Sequence, residues 1–96
     1  MNADPAILVL ASLSNGPKHG YAIMEDIERF SGLRLGPGTL YGAITRLEER
    51  KWIVPVASKD RRKPYKLTPT GTAHLKDQLG MFARVVNTAT KRLKYA

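Results

Sequence analysis

The sequence contains no cysteine. Disulfides and thiolate metal sites are thereby excluded as staples, and the composition suits a reducing compartment. Only two histidines occur, His19 and His74, far apart in the chain, so no imidazole metal cluster and no cofactor is expected. No apolar run approaches the roughly 20 residues that span a bilayer. The start, Met1-Asn2-Ala3-Asp4-Pro5, lacks the basic segment of a secretory signal. A cytoplasmic protein is the expectation. Catalytic groupings are equally scarce. There is no Ser/His/Asp set and no phosphate-cradling glycine loop, and adjacent Glu48 and Glu49 point about 100° apart on a helix instead of sharing a site. His19, beside Gly20 near a helix start, reads as a structural hydrogen bonder, and His74 as a surface residue. An enzyme is not expected.

Acidic side chains are few. Eight Asp and Glu stand against sixteen Lys and Arg, a net charge of +8, which points to a polyanionic partner. The balance is uneven along the chain. Residues 1–33 hold two basic and four acidic side chains, residues 34–66 nine and three, and residues 67–96 five and one. A solvated basic face that serves only solubility is the competing reading. Ninety-six residues form one folding unit. A chain this short buries about 60–65% of its unfolded surface, so modest monomer stability is expected.

Local punctuation divides the chain into elements. Asp4 can cap a first helix with Pro5 in its first turn; Ile7, Leu8, Leu10, Ala11 and Leu13 make that helix largely buried, and Asn15-Gly16-Pro17 ends it. A second helix is predicted from about Lys18 to Ser31. Its apolar face is Tyr21, Ile23, Met24, Ile27 and Phe30, its acidic face Glu25, Asp26 and Glu28, and its stop Gly32. A third helix has Gly36 as cap, Pro37 at its first position, and Leu40, Ala43, Ile44 and Leu47 on its inner face. At 100° per residue from Leu40, the residues Thr45, Glu49, Gly42 and Arg46 fall at about 140°, 180°, 200° and 240°, away from the core.

After Arg50-Lys51 the periodicity changes. Residues 52–56 and 65–67 read as short strands around a stretch too polar to be buried, with Pro64 at an edge or a strand start. Thr68 and Pro69 then open a final helix. Along it Leu75, Leu79, Phe82, Val86, Ala89 and Leu93 recur at alternating steps of four and three residues, a heptad-like seam that Met81 and Val85 widen. The predicted fold is mainly α with a small β-hairpin: a winged helix-turn-helix over residues 1–70, followed by a C-terminal dimerisation helix over residues 71–96.

This order of elements has a physical use. A helix that enters the major groove must offer short or hydrogen-bonding side chains to base edges, and a basic loop beside it meets phosphates. The third helix offers Thr39, Tyr41, Gly42, Thr45 and Arg46, with free backbone N–H groups near Gly38 and Thr39 for a phosphate oxygen. The hairpin tip offers Lys59, Arg61, Arg62 and Lys63. Double-stranded DNA is therefore the expected partner. The long apolar stripe of the last helix either packs on its own domain or pairs with a second copy, and a homodimer is favoured because such a stripe must be covered. A sequence-neutral nucleic-acid binder and a winged-helix protein-interaction module remain as alternatives.

His19-Gly20-Tyr21 with Ile23, then Gly36-Pro37-Gly38-Thr39-Leu40-Tyr41, then Arg46-Leu47-Glu48, and finally Tyr65-Lys66-Leu67-Thr68-Pro69-Thr70-Gly71 resemble PadR-family regulators. The resemblance covers about residues 6 to 75. It implies a homodimeric transcriptional regulator, usually a repressor, on a roughly palindromic operator, released by a small hydrophobic or aromatic effector such as a phenolic acid or a drug. It also implies that the Tyr41 hydroxyl contacts the DNA backbone, that Thr39, Thr45 and Arg46 lie at the groove, and that the helix from about Gly71 carries the dimer contacts. Two positions depart from the family pattern: Gly36 stands where Ser is common, and Lys51 where Gly is usual after the third helix. At Lys51 a left-handed backbone costs about 1–2 kcal/mol, so a different helix end and a tilted wing are expected. Drug-binding members carry a tryptophan on the last helix. Here Trp52 lies beside the wing, where core packing is the expected role, and the last helix has only Phe82 and Tyr95 as aromatics.

Overall fold

A computed structural model describes residues 4–59 and 61–95; the expected features at Met1–Ala3, and Asp60 within the hairpin, lie outside the described residues. Helix α1 spans Pro5–Ser12 and runs on into a 3-10 turn, Leu13–Asn15. The Asp4 carboxylate accepts the Ala6 N–H at 3.0 Å, which makes it the N-cap, and Pro5 occupies the first turn where its missing N–H is not needed. Eight residues cannot hold a helix alone in water. This one is kept by burial, since Leu8, Val9 and Leu10 all disappear into the core.

The second helix starts later than the sequence suggested. Lys18–His19 form strand β1, and helix α2 spans Gly20–Ser31 with His19 as its N-cap. The Lys18 ammonium is tied back to the Ser12 carbonyl and the Asn15 side chain, which fixes the chain as it leaves α1. Ile23 and Ile27 are fully buried, but Tyr21 and Phe30 are 57% and 51% exposed. A narrow contact stripe suffices for so short a helix, so these two aromatics fall off its edges. Asp26, placed on the solvent side from the sequence, instead accepts the buried Ser12 hydroxyl at 2.8 Å. Gly32 ends the helix at φ 75, donating its N–H to the Glu28 carbonyl.

Helix α3 spans Pro37–Glu49, with Gly36 as an N-cap that makes no side-chain bond, and Leu40, Ala43, Ile44 and Leu47 buried as expected. It ends through Lys51 at φ 61. The Trp52 N–H reaches the Leu47 carbonyl and the Lys51 N–H reaches Glu48, at 3.0 and 2.9 Å, the paired bonds of a left-handed helix stop. Lysine thus adopts the conformation usually left to glycine, and the different helix ending expected here does not occur.

Strands β2 (Ile53–Pro55) and β3 (Pro64–Leu67) form the hairpin, with Ile53 opposite Leu67 and Pro55 opposite Tyr65. The sheet has three strands in the order β1-β3-β2, all neighbours antiparallel, so Pro64 starts the central strand and does not lie on an edge. Helix α4, Pro69–Lys94, is capped by Thr68, whose hydroxyl accepts the Gly71 N–H at 3.0 Å. Gly71 passes directly under the Trp52 carbonyl, and a methyl group there would collide with that backbone. Leu75 is buried in the protomer's own core, so it is withdrawn from the seam expected along this helix. From Leu79 onward the stripe lies open: Leu79, Phe82, Val86, Ala89 and Leu93 are all exposed. The molecule is 55 × 27 × 20 Å, elongated along this helix.

Candidate nucleic-acid interface

The outward face of α3 begins with a turn whose first N–H groups have no partner within the helix, at exposed Gly38 and Thr39. Thr45 and Arg46 are exposed on the same helix, and Gly42 is half-buried between them. The Thr45 hydroxyl donates to the Tyr41 carbonyl at 2.9 Å. Its proton is committed, which leaves its lone pairs and its methyl group as what it can offer a partner. A side chain at Gly42 would first meet the Arg46 guanidinium, at 3.6 Å, so Arg46 lies back along the helix over the glycine. The sequence-derived set on α3 therefore forms one surface.

Tyr41 is half exposed and anchored from an unexpected direction. Its phenol lies across Gly20, where a methyl group would clash with the ring and hydroxyl. Gly20 is thus the seat of Tyr41, and the His19-Gly20-Tyr21 string joins the start of α2 to α3. Between β1, Tyr41 and the base of the wing lies a cleft of about 250 Å³, walled by His19, Tyr65, Arg61, Arg62 and Lys63. Tyr41 of α3 and the cations at the wing's base face each other across it.

In the hairpin, Lys59, Arg61, Arg62 and Lys63 are all exposed. The hairpin's base is closed by the Val56 N–H donating to the Pro64 carbonyl at 2.9 Å. Lys63 is tethered: its ammonium sits 5.4 Å from the centre of the Tyr65 ring. The Tyr65 hydroxyl is raised above its ordinary range by burial, and then by the nearby Glu48 carboxylate, with Lys63 acting in the opposite direction. Buried Tyr65, with half-buried Glu48 on one side and exposed Lys63 on the other, therefore connects the underside of α3 to the root of the wing, a link with no signature in the sequence.

Two acidic residues of α2 have cationic neighbours. Glu28 stands 3.7 Å from Arg34 and Asp26 3.7 Å from Arg29. His74, expected at the surface, is half-buried and stacks on Trp52, with ring centres 3.7 Å apart and planes within 12°. The Arg50 guanidinium covers the indole at 5.2 Å. Trp52 thus packs against the core, as expected, and also bridges α3 to α4. A second cleft of about 360 Å³ opens beside this stack, between α1, α3 and α4, and reaches Arg46 and Phe82. Among the described residues no group of acidic, histidine or cysteine side chains is arranged to hold a metal, and no helix is long and apolar enough to cross a membrane.

Comparison with known proteins places this geometry. The model of the transcriptional regulator PadR-like family matches residues 9–77. An uncharacterized 37.1 kDa protein in transposon TN4556 of Streptomyces fradiae is 48% identical over 82 residues; the match takes in 85% of this chain but only 24% of that protein, so the chain spans about a quarter of its relative's length. Among solved structures, a PadR family transcription regulator from Clostridium difficile matches with a TM-score of 0.85 at 25% identity, over 95% of this chain and 99% of that one. A PadR family transcriptional regulator from Eggerthella lenta matches with a TM-score of 0.77 at 25% identity, over 92% and 80%.

Proposed function

Since this chain belongs to the PadR-like family of transcriptional regulators, DNA-binding proteins and not enzymes, we propose that it acts in the cytoplasm as a homodimeric repressor on a roughly palindromic operator. Thr39, Thr45 and Arg46 read bases from the major groove. Gly38, Tyr41 and the wing residues Lys59, Arg61, Arg62 and Lys63 hold the phosphate backbone, and Gly42 lets the duplex come close. The observation that carries the reading is one cleft that joins Tyr41, on a helix with an exposed polar face, to three cations of the hairpin, Arg61, Arg62 and Lys63.

Residues 1–70 serve as the DNA-binding unit, and the helix of residues 71–96 as the dimerisation element through Leu79, Phe82, Val86, Ala89 and Leu93. What supports dimerisation is an apolar stripe exposed well beyond what solvation favours, with Val86 61% and Leu93 75% exposed. A two-fold dimer covers such a stripe with itself. A small hydrophobic or aromatic effector releases the operator. The second cleft supports this part, since its volume falls in the range of small-molecule sites and it joins apolar side chains to Trp52 and Arg46.

Selection of bound duplexes from a random pool tests the proposal. The expected product is a two-fold related site bound on the order of 10³-fold more tightly than random DNA. Equal affinity for scrambled duplexes would reduce the protein to a sequence-neutral binder. A monomer by light scattering that ignores duplexes at low salt would leave only a protein-interaction module.

A further inference from the structure

His19 has two tasks at one place. Its Nδ1 accepts the Ala22 N–H at 3.3 Å and so holds the first turn of α2, while the same ring walls the cleft between Tyr41 and the wing. A ring nitrogen that accepts a hydrogen bond carries no proton, so the neutral imidazole keeps its hydrogen on Nε2. Backbone pairing of His19 with Pro64, and of Lys18 with Tyr65, pins the ring to the root of the wing. The groups around it are phenols and cations: the Tyr41 hydroxyl seated over Gly20, Tyr21 and Tyr65, and the cations of Arg61, Arg62 and Lys63. Among the described residues no carboxylate lines this cleft. Hydroxyl donors and cations with no carboxylate among them form a receptor for a tetrahedral anion.

We infer that His19 is a further contact to the DNA backbone, its Nε2–H donating to a phosphodiester oxygen seated in this cleft while Nδ1 holds the start of α2. The inference rests on the DNA-binding reading above and adds a residue to it. A neutral donor gives direction without releasing a counterion. His19 therefore positions a phosphate that the wing attracts.

His19→Asn separates the two tasks. Asparagine is a favourable N-cap and can still accept the Ala22 N–H, but its side chain is too short to reach the phosphate. The variant is expected to unfold at a temperature close to that of the wild type and to bind operator and random duplex about tenfold more weakly, to the same extent for both. Its salt slope stays as in the wild type, because no charge is removed. Wild-type affinity in the variant overturns the inference, and so does a loss confined to the operator, which marks a base contact. A wild-type protein that binds no duplex at all overturns the functional reading itself, a distinct result. Nitrogen NMR of the unmodified protein provides a check that needs no variant. The His19 hydrogen is expected on Nε2, with that signal moving as a short duplex is added; a hydrogen on Nδ1, or an unmoved signal, overturns the inference.

Discussion

Lys51 occupies a left-handed backbone at φ 61 without the freedom of glycine. Its carbonyl is repaid with two hydroxyl donors, Thr68 at 2.7 Å and Thr70 at 3.2 Å. Lys51→Gly removes the steric cost and keeps both bonds, so it should stabilise the fold by about 1 kcal/mol, read from urea unfolding. An unchanged or lowered midpoint would mean that the strain is absorbed elsewhere. Tyr65 gives a pH dependence. Its folded value is raised above the ordinary 10.0, so its contribution is complete below that pH and is lost as the pH climbs through the folded value. Stability of the wild type should therefore fall above about pH 10, and Tyr65→Phe should flatten that part of the curve in thermal melts against pH. At the groove, Arg46→Ala should cost about 1–3 kcal/mol on the operator and relax choice at one position, measured across single-base operator variants; a uniform loss on all sequences would assign Arg46 to phosphate. These residues were legible to different degrees. Asp4, Gly32 and Thr68 follow from local capping chemistry. The Tyr65–Glu48–Lys63 triad and the His74 stack on Trp52 join parts distant in sequence, and no local pattern marks such pairs.

Elements show the same division. Helices α1, α3 and α4 begin where proline and a capping residue put them, because those signals act within one turn. Strand β1 carries no local signal. Two residues carry no periodicity, and Lys18–His19 become a strand only because β3 offers its free edge. Helix α2 is less buried than its pattern implies for a related reason: an apolar side chain at helical spacing can lie at a contact edge as readily as within it, as Tyr21 and Phe30 do. The wing was legible as a whole from charge and proline. Its role is a property of the element, so its test is also collective. Neutralising Arg61 and Arg62 together should weaken binding to every duplex and lower the salt slope by about two per subunit, measured by titration at several ionic strengths. An unaltered slope would remove the hairpin tip from the interface.

For the molecule as a whole, the open stripe of α4 is the proposed dimer contact, which would set two copies of α3 at a fixed distance. Val86→Glu puts a charge into the proposed contact without touching the core. The variant should sediment as a monomer, keep its circular dichroism, and lose operator affinity far more than its affinity for a half-site. A variant that remains dimeric would move the contact to another face. The junction at Lys51 has one more consequence. Two threonine hydroxyls and a glycine pressed beneath a backbone carbonyl weld the root of the last helix to the end of the reading helix. Twenty-six helical residues extend about 39 Å from that joint. The shaft is a lever with its fulcrum beside the reading head, so a swing of about 5° carries its far tip roughly 3 Å. In the proposed dimer, whatever alters the angle between two such shafts resets the span between the two α3 helices, and with it the length of duplex they can grip together.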